Sequence, residues 1–166
     1  MNENNDKRLA LSLILLAIGI AANSILGPFV SGVVTYPFSE SVRNMTIGLD
    51  AVSLILVAPI GFLAAIYVYR GKHIGFIAAL SLSAYALYTF VQLIMGPQYI
   101  EYSPVVLLHL ALFILSGFIL VNAWQRIKGN ELPHFNRRKN KISAIVLILL
   151  AIFTSLSYIA SIPQII

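Results

Sequence analysis

The sequence predicts an all-α, polytopic integral membrane helix bundle, and three observations carry that prediction. Apolar runs of about twenty residues recur along the chain, each long enough to cross a hydrocarbon core of roughly 30 Å at about 1.5 Å per residue. The composition is 59% hydrophobic and 10% charged, with a mean hydropathy of +0.89, against about 45–50% apolar and about 25% charged residues in soluble domains. The basic residues are gathered into short segments between the apolar runs, where the rule that Lys and Arg stay on the cytoplasmic side places them.

Five spans are expected, at about 9–34, 47–69, 74–95, 105–124 and 142–162, forming one transmembrane domain over 9–166 behind a cytoplasmic tail at 1–8. The tail, M-N-E-N-N-D-K-R, ends on Lys7-Arg8. The first apolar run competes with a cleaved signal peptide, since a basic flank and an apolar stretch precede the small residues Ala21-Ala22; cleavage would leave four spans with the other loops on the same sides. Gly27-Pro28 is expected to kink or end the helix, because proline cannot donate its backbone hydrogen bond.

The loop that follows carries Tyr36 and Phe38, aromatic rings suited to the membrane interface, and Asn44-Met45-Thr46, which fits the glycosylation pattern. The second span contains Pro59-Ile60-Gly61, read as a structural kink rather than a gating hinge. Arg70-Gly71-Lys72-His73 makes a tight basic turn into the third span, which Gly96-Pro97 stops. A short loop with Glu101 leads to the fourth span, anchored at the interface by Trp124. The polar stretch Arg126–Lys141 precedes the fifth span; its six basic residues are read as topology determinants, with anionic lipid headgroups as the functional alternative. L-I-L-L-A-I occurs at Leu13–Ile18 and again at Leu147–Ile152, an echo read as chance recurrence in a chain this aliphatic, with an internal repeat as the alternative.

Orientation follows from the basic residues. With the N-terminus inside, Lys7, Arg8, Arg70, Lys72, Arg126, Lys128, Arg137, Arg138, Lys139 and Lys141 are cytoplasmic and only Arg43 is outside. The expectation is therefore a cell-membrane protein with a cytoplasmic N-terminus and an outside C-terminus.

This orientation converts sequence position into depth. Asn23, Asp50, Tyr85, Tyr88, Gln92 and His109 all fall in the outer half, on the first four spans, while the inner half is mostly aliphatic. Ser81, Tyr85, Tyr88 and Gln92 share one helical stripe; Asp50, Ser53, Val57 and Gly61 share another; His109 and Ser116 share a third. Ionisable side chains in a membrane face the bundle interior and find partners, so Asp50 and His109, at matching depth, are expected to pair. Three readings stay open. The six residues form a pocket for a small polar molecule, a lipid or quinone headgroup, or a proton; or they bond one another only to fix packing; or they meet a partner subunit.

Several function classes lose their support. The chain has no cysteine, which removes disulfides, thiolate chemistry and cysteine-ligated metals. His73 and His134 belong to the cytoplasmic side and His109 to the other, so no common metal or haem site is expected, and no cofactor. Gly-x-Ser-x-Gly, His-Glu-x-x-His and phosphate-loop motifs are absent from the sequence. Enzyme activity and nucleic-acid binding are not expected.

The run G-L-D-A-V-S-L-I-L-V-A-P at Gly48–Pro59, Arg70-Gly71, and Y-A-L-Y-T-F at Tyr85–Phe90 resemble a pattern in small multi-pass membrane proteins of bacteria and archaea that have no assigned function. The likeness covers Gly48 to Trp124; it implies an integral membrane protein and carries over no catalytic residue. The function expected is that of a non-enzymatic accessory or assembly subunit of a membrane complex, with the lipid bilayer, other membrane subunits or a second copy as partners. The alternative is binding or transport through the outer polar pocket.

Overall fold

The computed structural model describes residues 3–32, 40–95 and 105–128, together with residues 141, 145 and 148. The chain divides into two compact units, Met1–Asn130 and Glu131–Ile166. The expected fifth span lies outside the described residues, apart from Ile145 and Ile148, which are helical. The loops carrying Tyr36, Phe38 and Glu101 and most of the basic stretch before Lys141 also lie outside them.

Helix α1 runs from Glu3 to Leu26. It begins six residues before the apolar run expected at Leu9, so the polar tail and the first span are one helix. Glu3 and Asp6 occupy the first turn, where negative charge complements the exposed N–H groups. Lys7 Nζ meets Glu3 Oε1 one turn back at 2.7 Å, which adds modest local support. The helix stops well before Val34. Pro28 has no N–H to continue the ladder and its ring crowds the preceding turn; Gly27 N–H still reaches Asn23 O at 2.8 Å, and the chain then turns through Ser31.

Helix α2 (Glu40–Val52) passes through a π-helical turn (Ser53–Val57) into helix α3 (Ala58–Tyr69). Pro59 explains the wide turn. In a regular α-helix its ring would press on the carbonyl of Ile55, four residues back. The ladder instead opens by one residue, and Ala58 N–H bonds to Ser53 O, as π-bulges do. The proline at mid-helix is thus absorbed as a widening. The turn into helix α4 (His73–Met95) is closed by Gly71 N–H to Val68 O and Lys72 N–H to Tyr67 O, both at 2.9 Å. Gly71 sits at φ 64°, the left-handed region in which a helix end favours glycine. Helix α5 spans Val105–Lys128, one turn beyond Trp124.

The packing order is a ring: α1 against α3, α3 against α4, α4 against α5, and α5 back against α1. Neighbours run antiparallel. Small residues bring the backbones together: a Cβ on Gly61 would lie 2.9 Å from Ala17 Cβ, and Ala64 and Ala65 are buried on the same helix. The core repeats at three- and four-residue spacing through Leu9, Leu13, Leu16 and Ile20 of α1 and Ala79, Leu82 and Ala86 of α4, and at seven through Leu112 and Ile119 of α5.

The outward faces of α1, α3 and α5 are largely apolar. Leu11, Leu15 and Ile18 of α1, Leu63 and Ile66 of α3, and Ile114, Phe118 and Val121 of α5 are all exposed. A water-facing bundle presents charge there; an apolar exterior on successive helices suits a lipid solvent. Among the described residues, four helices are long and apolar enough to cross a membrane: Glu3–Leu26, Arg43–Tyr69, His73–Met95 and Val105–Lys128. The fold is all-helical and compatible with a membrane bundle.

Candidate functional site

Two stripes define the seam between α1 and α5. On α1, Asp6, Leu9, Leu13, Leu16, Ile20 and Asn23 repeat at alternating three- and four-residue spacing, and all are buried. On α5, His109, Leu112, Ser116, Ile119, Ala123 and Arg126 repeat the same way. This is the spacing of knobs-into-holes packing. The helices are antiparallel, so each apolar stripe ends in a polar contact with the other.

At the end where α1 finishes, His109 Nε2–H donates to Asn23 Oδ1 at 2.7 Å, both side chains buried. His109 is fully enclosed, and the Phe90 ring packs beside it with centroids 5.7 Å apart. Asp50 does not take the part expected for it as a partner of His109. Its carboxylate lies against Gly27, filling the place a Cβ on Gly27 would need. Asp50 is 5% exposed, and its Oδ2 has no hydrogen-bond partner among the described residues; nor has the fully buried Ser24 Oγ. One turn on from Asp50, the Ser53 and Tyr85 hydroxyls are 3.0 Å apart.

The six candidate residues therefore divide. Asn23, Asp50 and His109 are buried around the C-terminal end of α1, and Tyr85 is half-buried beside them through Ser53. Tyr88 and Gln92 face outward. Tyr88 is 60% exposed, and Gln92 Nε2 donates to its hydroxyl at 2.9 Å. The remaining buried serines are spent locally: Ser83 Oγ of α4 donates to Leu80 O at 3.0 Å and Ser116 Oγ of α5 to Phe113 O at 2.7 Å, so each hydroxyl bonds within its own helix. Among the described residues, no group of three or more His, Asp or Glu side chains converges as a metal site.

The opposite end of the seam carries an ion pair. Arg126 Nη2 meets Asp6 Oδ1 at 2.5 Å, as a charge contact rather than a well-directed hydrogen bond. Their side chains are 23% and 8% exposed. Beside them lies an open cleft of about 210 Å³, lined by Asn5, Leu9, Asn122, Gln125 and Arg126.

The sequence reading leaves Asp6 in the tail, places Ser24 only among the outer-half polar residues, and gives Gly27 as a helix stop and Arg126 as a topology determinant. The signal for Asp6 and Arg126 was present, since both continue the apolar stripes in register. Gly27 carries no such signal, because its role depends on what another helix presses against it. Comparisons with protein-family models, curated proteins and solved structures returned no match.

Proposed function

We propose that this chain is a multi-pass component of the cell membrane, with five spans, a cytoplasmic N-terminus and an outside C-terminus, acting as a non-enzymatic accessory or assembly subunit. The observation that carries the subunit reading is on α4. Ser81, Ala84, Tyr88 and Gln92 lie on one side of that helix at three- and four-residue spacing, and all four are exposed. Small and hydrogen-bonding residues are poor company for lipid tails and are the residue types that join transmembrane helices. Tyr88 and Gln92 satisfy each other in part and keep donor and acceptor capacity for a helix laid against them. Among the described residues, the exposed side chains along the middle of α1, α3 and α5 are apolar or aromatic, and this reading takes the stripe on α4 as the contact face for a transmembrane helix of another subunit. The inward polar groups of α1 and α5 support a packing role, since they bond each other across the seam.

A photo-crosslinking amino acid placed at Tyr88 in native membranes tests the reading. A second protein captured in stoichiometric yield is the expected result; capture of lipid or of this chain alone sinks it. Orientation is checked separately. Cysteine placed at Glu101 is expected to react with an impermeant thiol reagent from outside, and cysteine at Arg137 only after permeabilisation; the reverse pattern ends the topology.

A further inference from the structure

We propose that Asp50, together with Ser24 and the C-terminal turn of α1, forms a binding site for a small, hard monovalent cation. The argument begins with Gly27. The point where its Cβ would stand is flanked by the Asp50 carboxylate, with Cγ 3.0 Å away, and by Asn23 O at 3.2 Å. The Asp50 carboxylate thus lies against the last turn of a helix, where Asn23 O is already taken by Gly27 N–H. That end carries the negative pole of the helix dipole, where a carboxylate is disfavoured and a cation is favoured. Ser24 stands one turn before Gly27, on the side of α1 that meets Asp50, and its hydroxyl is fully buried.

Among the described residues, the surroundings supply no fixed countercharge. On α5, His109 faces this region, and its Nε2–H is used by Asn23. On α4, Tyr85 is joined to Ser53. On α2, Arg43 is exposed and two turns before Asp50, about 10 Å along the axis; Glu40 is farther. The last two turns of α1 hold no titratable side chain, and Asp6 and Arg126 lie at the other end of the seam. Asp50 Oδ2 and Ser24 Oγ are both buried without hydrogen-bond partners among the described residues. An isolated carboxylate out of water is costly unless a cation joins it. The unpartnered oxygens of Asp50 and Ser24 are hard donors, which suit hard cations, and a single carboxylate balances one positive charge. A proton and sodium share that chemistry. The inference rests on the membrane reading, which keeps this end of the bundle out of bulk water; the thiol-labelling experiment tests that reading independently.

The experiment uses the full chain in detergent or nanodiscs. Thermal unfolding, followed through the single tryptophan Trp124, is compared in sodium, potassium and choline chloride at equal ionic strength. Infrared difference spectra are recorded on protein labelled with carbon-13 at the aspartate carboxyl. The chain has two aspartates, Asp6 and Asp50; Asp6 is ion-paired, so an isotope-shifted carboxylic-acid band at neutral pH reports Asp50. A sodium-specific rise in Tm of about 3 °C, lost in Asp50→Asn and weakened in Ser24→Ala and Gly27→Ala, establishes sodium. A carboxylic-acid band with no sodium effect establishes the proton. Absence of both signals in the wild-type protein overturns the site, whatever the variants do on folding.

Discussion

The two ends of the α1–α5 seam solve one problem in two ways. Each end joins the helices through a polar pair, and the pairs are seventeen residues apart on both helices, about 25 Å along the axis. Asp6–Arg126 uses full charges, and its arginine reaches an open cleft. Asn23–His109 uses a hydrogen bond to an amide and lies enclosed. Charge is kept where water or headgroups reach it, because solvation offsets the cost of burying an ion pair. Where the bundle closes over the contact, a hydrogen bond fixes the same helix register without an ionised pair. Asp50 is the exception at the enclosed end, and that exception marks the candidate cation site.

The largest expected effect comes from breaking the charged end. Arg126→Ala leaves Asp6, which is 6% exposed, without its countercharge. Breaking a fully buried pair costs about 3–5 kcal/mol, and the partial exposure of Arg126 lowers the expectation to about 2 kcal/mol. For a chain of this size that is a fall in Tm of roughly 6 °C. Asp6→Asn combined with Arg126→Gln removes both charges and is expected to recover more than half of the loss. An unchanged Tm in Arg126→Ala would show that Asp6 is solvated and that the seam is closed by its apolar residues alone.

The seam also separates what the sequence made legible from what it hid. Hydropathy alone locates the four described apolar helices, since each apolar run must satisfy its backbone internally once water is gone. The heptad-like stripes continue without a break from Asp6 to Asn23 and from His109 to Arg126, so the polar ends of the seam were readable in advance as members of those stripes. Treating residues 1–8 as a tail concealed Asp6, because helix is favoured there by Glu3 and Lys7 rather than by hydropathy. The pairing expected between Asp50 and His109 followed from matched depth. Depth fixes a level in the bundle but leaves rotation about each axis open: His109 faces Asn23, and Asp50 faces Gly27. Likewise the stripe Ser81, Tyr85, Tyr88 and Gln92 was visible as a stripe, but the residue at its edge, Tyr85, turns inward to Ser53 while Tyr88 and Gln92 turn out. The wide turn at Ser53–Val57 was foreshadowed by Pro59, though a kink and a π-bulge are indistinguishable in sequence.

A smaller effect is expected at the enclosed end. Asn23→Leu and His109→Leu each leave one polar partner buried without the other, so the double-mutant cycle is the informative quantity. Interhelical hydrogen bonds in membrane proteins contribute about 0.6–1.7 kcal/mol, and a coupling of about 1 kcal/mol is expected between these two positions. Tyr85→Phe, which removes the bond to Ser53, is expected to cost about 0.6 kcal/mol by the same reasoning. A coupling near zero for Asn23 and His109 would remove the hydrogen bond from the account of helix register and leave it to Leu13, Leu16 and Ile119.

The smallest effect is the sharpest discriminator between the two ends. Screening by salt acts on charges that solvent reaches, with a Debye length of about 10 Å at 0.1 M and about 3 Å at 1 M. The destabilisation caused by Arg126→Ala is therefore expected to shrink by a few tenths of a kcal/mol between 0.1 and 1 M potassium chloride. The destabilisation caused by His109→Leu is expected to stay constant, because an enclosed hydrogen bond to an amide has no ionic atmosphere to perturb. Potassium is the cation of choice here, so that sodium binding near Asp50 does not enter the comparison. If both variants respond equally to salt, the enclosed end carries a charge after all, and His109 rather than Asp50 becomes the group to examine. If neither responds, Arg126 is held as tightly as His109, and the cleft beside it does not admit the ions that its open side implies.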